Sequence, residues 1–328
     1  MSKRFLAFLL ILTLLVIAAA FLLPLISTNG KIPDQGIYWK IRFPRTLLAM
    51  VAGSGLALAG LVFQAMFRNP LATPYTLGIA SGASFGAAMC LQSAIRLGLP
   101  MTGGFLGFLG LPLVSWGAFG GALLAMAVVY GLSRNRDSSS EQMLLAGVAV
   151  NFFFASMIVL LQYVSAPHDA MLMLRWTMGG VQDAAMIDNF RLGPIVLLAA
   201  AGLTFFSREL NIIVTGRERA QSLGIDVDRF RNIIFVLASL LVGAIVAVTG
   251  PIGFVGLMVP HISRLLVGPN HQHLTPITFL FGGLFLAVCD TVGRCLFFPG
   301  TLPVGIATGL LGGPFFLWLL LHNNKRLG

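Results

Sequence analysis

Charge is what this sequence has least of. Of its 328 residues, 10% are Asp, Glu, Lys or Arg, against about 25% in a soluble domain. Lysine is scarcest and occurs at Lys3, Lys31, Lys40 and Lys325. None of these sits in a G-x-x-x-x-G-K-[ST] loop, so the chain has no P-loop with which to hold ATP itself. It has no His-Glu-x-x-His, which removes the intramembrane zinc-protease reading. Its three cysteines, Cys90, Cys289 and Cys295, all fall in apolar runs. They supply neither a disulfide framework nor metal-ligand spacing. Acids number 11 against 21 basic residues, a net charge of +10, with a pI near 10.4. That balance alone would suit a nucleic-acid partner. Membrane proteins carry the same excess for another reason, the enrichment of Lys and Arg in their inner loops.

Apolar residues are abundant. The set AVILMFWYC makes up 57% of the chain, with 38 glycines besides, and the mean hydropathy is +0.90. These values exclude a soluble enzyme, a disordered chain and a nucleic-acid binder. A charge at mid-bilayer costs about 2.5–3.5 kcal/mol, so charge-free windows mark the spans. They run 5–30, 46–67, 69–95, 97–133, 142–168, 192–207, 232–263, 265–289 and 295–324. The window 97–133 opens with Pro100, Gly103, Gly104 and Pro112, and reads as a loop followed by one span near 113–132. The window 232–263 holds a span over 232–250. A break at Gly250-Pro251-Ile252-Gly253 follows, and then a short helix over about 256–267. The expectation is an all-α polytopic membrane protein of about ten helices, one membrane domain over 1–328.

An even count places both termini on one side, and both are basic: Lys3 and Arg4, Lys325 and Arg326. With those ends inside, 13 of the 21 Lys and Arg fall on inner segments, the sense of the positive-inside bias. The apolar run from Phe5 to Leu23 exceeds the core of a signal peptide, about 7–15 residues. It reads as a retained first helix.

Small residues recur at helical spacing, as Gly78, Gly82 and Gly86 and again as Gly53, Ala57 and Gly60. This small-xxx-small pattern lets helix backbones approach closely in lipid. Arg68-Asn69-Pro70-Leu71-Ala72-Thr73-Pro74 cannot be continuous helix, because each proline disfavours helix at the residue before it. Thr73 is placed to cap a following helix with Pro74 at its first position. Two such breaks, here and at Gly250–Gly253, hint at inverted repeats over roughly 44–164 and 230–321, as in many transporters. Ser54 and Ser81 lie in glycine-rich helices and read as packing residues rather than nucleophiles. Glu141 and Asp290 are the acids near span interiors, each close to a span's end. That weakens, as the alternative, an ion-coupled secondary transporter, which places an acid deep in a span.

One inner loop, about 208–231, holds Arg208, Arg217, Arg219, Arg229 and Arg231 together with Glu209, Glu218, Asp226 and Asp228. Mixed charge makes it more than a lipid-binding basic patch. Ala220, Leu223 and Ile225 give it a small apolar edge, and Gly224 can stop a short helix starting near Gly216. The pattern suits docking onto a soluble partner, with an ordinary solvated loop as the plainer reading.

These stretches resemble the membrane permeases of ATP-binding-cassette importers for vitamin B12, ferric siderophores and haem. The resemblance is carried by Arg42-Phe43-Pro44-Arg45, by Gln64 with Arg68–Pro74 and Leu77-Gly78, and by Leu144–Val148. It continues in Gly216 with Ala220 and Leu223-Gly224, and is strongest in Gly250–Leu257 leading to Pro260-His261 and Arg264. Asp290, Arg294, Leu302–Gly305 and Gly312–Phe316 complete it, so that it spans about 40–321. It implies a permease that forms a homodimer with the path between the copies, in a bacterial inner membrane, with both termini cytoplasmic. Two cytoplasmic ATP-binding subunits would bind Gly216, Arg217, Ala220, Leu223 and Gly224, and would hold the ATP and Mg. This chain would bind no cofactor or metal, touch no nucleic acid and catalyse no reaction. A periplasmic binding protein would deliver the cargo to Arg42, Arg45 and Arg294, which interfacial snorkelling would otherwise explain. Ser138, Ser139 and Ser140 match the inner gate. Thr301 departs from the family, many of whose members have Glu there.

A haem cargo would call for ligands, and histidine is the first candidate. His261 belongs to the general motif and reads as structural, and His271 and His273 fall on an inner loop. His168 lies near Met171, Met173 and Arg175 on the outer side. His and Met ligate haem iron, although a Met-rich helix end is more often flexible packing.

Overall fold

The computed structural model describes residues 3–27, 33–98, 112–133, 140–296 and 300–323. Among the described residues there are thirteen α-helices of six residues or more and no strand. They are α1 Lys3–Leu22, α2 Phe43–Phe67, α3 Ile79–Arg96, α4 Leu113–Ser133, α5 Ser140–Tyr163, α6 Pro167–Thr177, α7 Met186–Phe205, α8 Ser207–Val214, α9 Arg217–Ser222, α10 Val227–Thr249, α11 Val255–Val267, α12 His271–Leu296 and α13 Val304–Asn323. Seven helical segments are long and apolar enough to cross a membrane: Lys3–Leu25, Gln35–Phe67, Leu113–Leu132, Leu144–Tyr163, Met186–Phe205, Val227–Thr249 and His271–Leu296. The other three of the ten expected helices are α3, α11 and α13, which are shorter or less apolar. The chain is thus an all-α, multi-pass membrane protein. The predicted loop at Pro100, Gly103 and Gly104, together with Lys31, Lys325 and Arg326, lies outside the described residues.

The chain divides into two compact units, each assembled from separate segments. The first comprises 1–61, 181–207 and 252–328. At its centre α12 packs against α1, α7, α11 and α13. Contact between α2 and α12 is made through backbone. A Cβ on Gly53 would overlap the Gly282 carbonyl, and the Ser54 hydroxyl donates to the Phe279 carbonyl at 2.7 Å. Further along α2, a Cβ on Gly60 would overlap the backbone of Gly256 in α11. Lipid tails are as apolar as Leu, so close backbone packing and hydrogen bonds drive such association.

The second unit comprises 62–180 and 208–251. Here the glycine stripe of α3 meets a matching stripe on α4. A Cβ on Gly82 would strike the Gly121 carbonyl, and one on Gly86 the Gly117 carbonyl. Gly147 of α5 lies against Thr76 and Leu77 in the same way. Met173 of α6 is 1% exposed and packs with Ala88 and Leu91 of α3.

Both predicted breaks are present. After α2 the Asn69 amide donates to the Gln64 carbonyl, and the Asn69 side chain accepts from the Leu71 amide at 2.9 Å. The sequence places a helix start at Pro74, whereas α3 begins at Ile79. Thr73 and Thr76 instead exchange backbone-to-hydroxyl bonds at 2.9 and 3.1 Å and close a turn. Gly78, at φ 74°, then redirects the chain. At the second break α10 ends at Thr249, whose carbonyl accepts from the Gly180 amide at 2.7 Å. Pairing of this kind is what makes broken helix tolerable at membrane depth. Arg68, at φ 47°, and Phe254, at φ 64°, are the described non-glycine residues with left-handed backbone, one at each break. Such residues are held at a cost of about 1–3 kcal/mol.

Gly60→Val should lower stability by about 1–3 kcal/mol, the range for forcing atoms into a packed contact. Gly120 has nothing within 4 Å of its Cβ position, so Gly120→Ala should leave stability unchanged or slightly raised. Thermal unfolding of the two purified variants in detergent checks the contrast.

Candidate functional site

Two groups of sequence-selected residues are resolved, one around the 208–231 loop and one around the arginines. The loop is folded. α8 and α9 precede α10, and Ile213, Ala220 and Val227 form a small buried core flanked by Ile212, Ile225 and Phe230. α9 opens after Gly216, whose φ of 126° favours glycine. Its end is a Schellman cap. The Gly224 amide donates to the Gln221 carbonyl at 2.9 Å, and the Ile225 amide to the Ala220 carbonyl at 3.1 Å, with Gly224 at φ 82°. This pattern satisfies the last carbonyls of a helix and brings the flanking apolar residues together. Asp226 then caps α10 by accepting from the Arg229 amide at 3.1 Å. Arg217 forms an ion pair with Asp228 across the two helices.

The five residues predicted for coupling therefore have different parts. Ala220 faces the small core and is fully buried. Gly216 and Gly224 shape the backbone. Arg217 is tied to α10. Leu223 is 60% exposed and presents the loop's apolar tip. Asp228 and Asp226, which in the sequence stand out only as charge, hold α9 against α10 and cap α10 respectively.

The three arginines come together in the first unit. Arg42 donates through Nη1 to the Pro24 and Ile26 carbonyls, both at 3.1 Å, and through Nη2 to the Ser27 hydroxyl at 3.4 Å. Arg294 donates through Nη2 to the Leu23 carbonyl at 3.0 Å. Two side chains from distant parts of the sequence thus close the chain after α1, where the Ile26 amide also donates to the Leu23 carbonyl. Arg45 is different: it is 6% exposed, and its Nε and Nη2 bind both oxygens of Asp290 at 2.7–3.1 Å. In the sequence Asp290 stands near a span's end, and its partner lies 245 residues away. An acid buried in a spanning helix demands a counter-charge, and that is the available signal. Nearby, the Asn189 amide donates to the Pro44 carbonyl at 3.0 Å. Thr301 Oγ1 lies 3.4 Å from Gln182 Oε1.

Of the three gate serines, Ser138 and Ser139 lie outside the described residues, and Ser140 is the first residue of α5. The histidines separate. His261 sits edge-on to Phe315, with ring centroids 5.8 Å apart, and His273 lies 4.2 Å from Phe5. His271 is buried at the start of α12. On α6, His168 and Met171 are exposed while Met173 is core. Among the described residues no group of three or more His, Cys, Asp or Glu is arranged to hold a metal ion.

The sequence pattern of the FecCD transport family matches residues 5–322. The chain is 38% identical over 295 residues to the cobalamin import system permease protein BtuC of Halobacterium salinarum, covering 89% of this chain and 75% of that one. It is 36% identical over 305 residues to the hemin transport system permease protein HmuU of Yersinia pestis, covering 92% and 87%. Its fold is similar to that of a metal-chelate type ABC transporter solved in an inward-facing conformation. The TM-score is 0.84 at 31% identity, over 96% of this chain and 99% of that one. Matched from end to end in sequence and in fold, the chain belongs to the FecCD transport family.

Proposed function

We propose that the chain is the permease subunit of an ATP-binding-cassette importer. Its cargo is an iron complex, either a ferric siderophore or haem, or else cobalamin. Transport runs from periplasm to cytoplasm across a bacterial inner membrane, with both termini cytoplasmic. In this reading two copies enclose the path, and two separate subunits bind ATP and Mg on the cytoplasmic side. Closure of those subunits on ATP drives alternating access, and no bond is made or broken on this chain. Ser138, Ser139 and Ser140 are assigned to the inner gate by resemblance.

The observation that carries the reading is the construction of α9. A six-residue helix is far below the length at which a helix is stable alone. Here it is held by a Schellman cap and a small apolar core, and it still leaves a large apolar residue, Leu223, exposed. A rigid mount with an exposed apolar tip suits transmission of force from a soluble subunit. The secondary-transporter alternative is disfavoured by charge. Among the described residues Asp290 is a buried acid of a spanning helix, and Arg45 neutralises it. It is not free to carry a proton or cation in the manner of such carriers.

Docking of a binding protein is assigned to the face bearing Arg42, Arg45 and Arg294. Arg45 acts there by position, since its charge is spent on Asp290. Arg42 is only partly buried and remains a charge able to meet an acidic partner, whereas Nε and Nη1 of Arg294 are buried.

Leu223→Asp should weaken association with the ATP-binding subunits by about tenfold, the scale of losing one anchor at an interface. The thermal midpoint of the permease should stay unchanged, because Leu223 lies outside the small core. Co-purification and uptake measurements check this, and unaltered assembly together with unaltered uptake would remove the docking role from α9.

Arg42→Gln should weaken binding-protein docking several-fold at low salt and flatten its salt dependence, as expected for a rim charge. Dimer assembly and basal ATPase activity should persist. The corresponding change at Arg45 is not a docking test. It leaves Asp290 buried and unpaired, a loss of about 3–5 kcal/mol. Docking that is equally tight and equally salt-sensitive in Arg42→Gln would show that Arg42 only closes α1.

A further inference from the structure

The helix that carries Arg42 and Arg45 begins outside the bilayer. The apolar segment Gln35–Phe67 is 33 residues long, about 50 Å of helix against a hydrocarbon core of about 30 Å. Arg68 follows its inner end. Measured from there, the core is crossed by about Leu47, and Trp39 stands about 12 Å further out. A headgroup layer is about 5–8 Å deep, so Trp39 lies beyond it. Apolar side chains are nonetheless exposed at this level. Trp39 is 54% exposed, and Ile37 and Ile41 beside it are exposed as well. An apolar patch standing in water marks a site of contact with another protein.

The Trp39 ring is exposed but held in place. Its backbone lies in a π-helical turn, Tyr38–Arg42, in which the Phe43 amide donates to the Tyr38 carbonyl. Turns of this kind occur often at functional sites. Tyr38 meets the indole edge-on, with ring centroids 4.8 Å apart, and Phe43 lies 5.1 Å from it. Phe43 stacks in turn on Phe21 of α1 at 5.6 Å, and the Tyr38 hydroxyl donates to the Phe21 carbonyl at 3.0 Å. A side chain fixed in this way loses little freedom when a partner covers it. Trp, Tyr and Arg are also the residues that most often carry the energy of an interface. Lys40 is exposed next to Trp39, and Arg42 lies three residues nearer the membrane.

We propose that Trp39 is the apolar anchor of binding-protein docking, seated in an apolar pocket of the partner that is rimmed by acidic residues. The inference rests on the docking reading of Arg42 and deepens it. A soluble partner that reaches Arg42 must pass Trp39, which stands further from the membrane on the same helix. The positive charges of Lys40 and Arg42 set approach and register, as rim charges do. Burial of the indole supplies the larger share of the affinity. Lipid is the other occupant that suits an indole, and the depth of Trp39 argues against it.

The test has an arm without the partner and an arm with it. The full chain is placed in phosphatidylcholine nanodiscs, and its tryptophan fluorescence is compared with that of Trp39→Phe, so that the difference reports Trp39. That signal should be quenched by acrylamide from the water and not by brominated phosphatidylcholine. Quenching by the brominated lipid would make Trp39 a membrane anchor and overturn the proposal. Docking of the importer's binding protein to the same nanodiscs is then measured at low and high salt. Trp39→Ala should weaken it about 30-fold at both, the scale of a hot-spot residue. Arg42→Gln should weaken it mainly at low salt. Docking by Trp39→Ala within about twofold of the unaltered chain, with Arg42→Gln weakened, would overturn the anchor and leave the docking reading standing. Docking that neither change affects would remove both. Should Trp39→Ala fail to fold, the unaltered chain decides: the docked binding protein should shield Trp39 from acrylamide, and unchanged quenching would overturn the proposal.

Discussion

Close backbone approach is the constraint on which the rest of this structure depends. A chain immersed in lipid cannot use burial of apolar surface to hold its helices together, because the solvent is itself apolar. What remains is contact at short range, and the helices obtain it by omitting side chains. Gly53 on Gly282 and Gly60 on Gly256 fix α2 to α12 and α11 in one unit. Gly82 on Gly121 and Gly86 on Gly117 fix α3 to α4 in the other. Each pair places a carbonyl of one helix where a Cβ of the next would stand, which explains why these eight helical positions are glycine. Helix propensity disfavours them by about 1 kcal/mol each in an aqueous reference, and the contacts they permit offset it.

Scarcity of charge gives each remaining charge a defined task. Arg45 and Asp290 are buried together with bidentate geometry, and either alone would be an uncompensated ion. Arg42 and Arg294 supply donors to carbonyls just beyond the end of α1. Arg217 and Asp228 join α9 to α10 at the surface, where such a pair contributes about 0–1 kcal/mol and serves mainly to set orientation. These are three different uses of a guanidinium, and only the environment of each distinguishes them.

Much of this was legible in the sequence. Charge-free windows located the helices, because a charge at mid-bilayer is expensive wherever it occurs. The period-four glycines on α3 announced a close contact, and Gly224 announced the end of α9. What could not be read was partnership. The stripe on α3 does not say that α4 carries its complement, because Gly117 and Gly121 follow a different set of neighbours. Nor does Asp290 name Arg45, 245 residues distant. Ala220 and Leu223 looked alike as an apolar edge, yet the turn at Gly224 sends one into a core and leaves the other exposed. The start of α3 was misplaced for a local reason. Thr73 and Thr76 satisfy each other's amides, so the cap predicted from Thr73 closes a turn and the helix waits for Gly78.

The two breaks show why a residue with a poor backbone fit can persist. Glycine would occupy the left-handed positions at Arg68 and Phe254 with less strain. In each case the side chain reaches something that glycine could not. Arg68 extends to the start of α9. Phe254 lays its ring over Gly312 of α13, so closely that a Cβ there would collide with it. The absence of a side chain at Gly312 and the strained aromatic at Phe254 are therefore two halves of one contact. Gly250, one turn earlier, completes the logic on its own side. At φ 66° it turns the chain out of α10, and a Cβ there would strike the Trp176 carbonyl. Strain at these breaks is thus compensated locally, by a contact within reach of the strained residue, and each break remains a fixed corner of the unit that contains it.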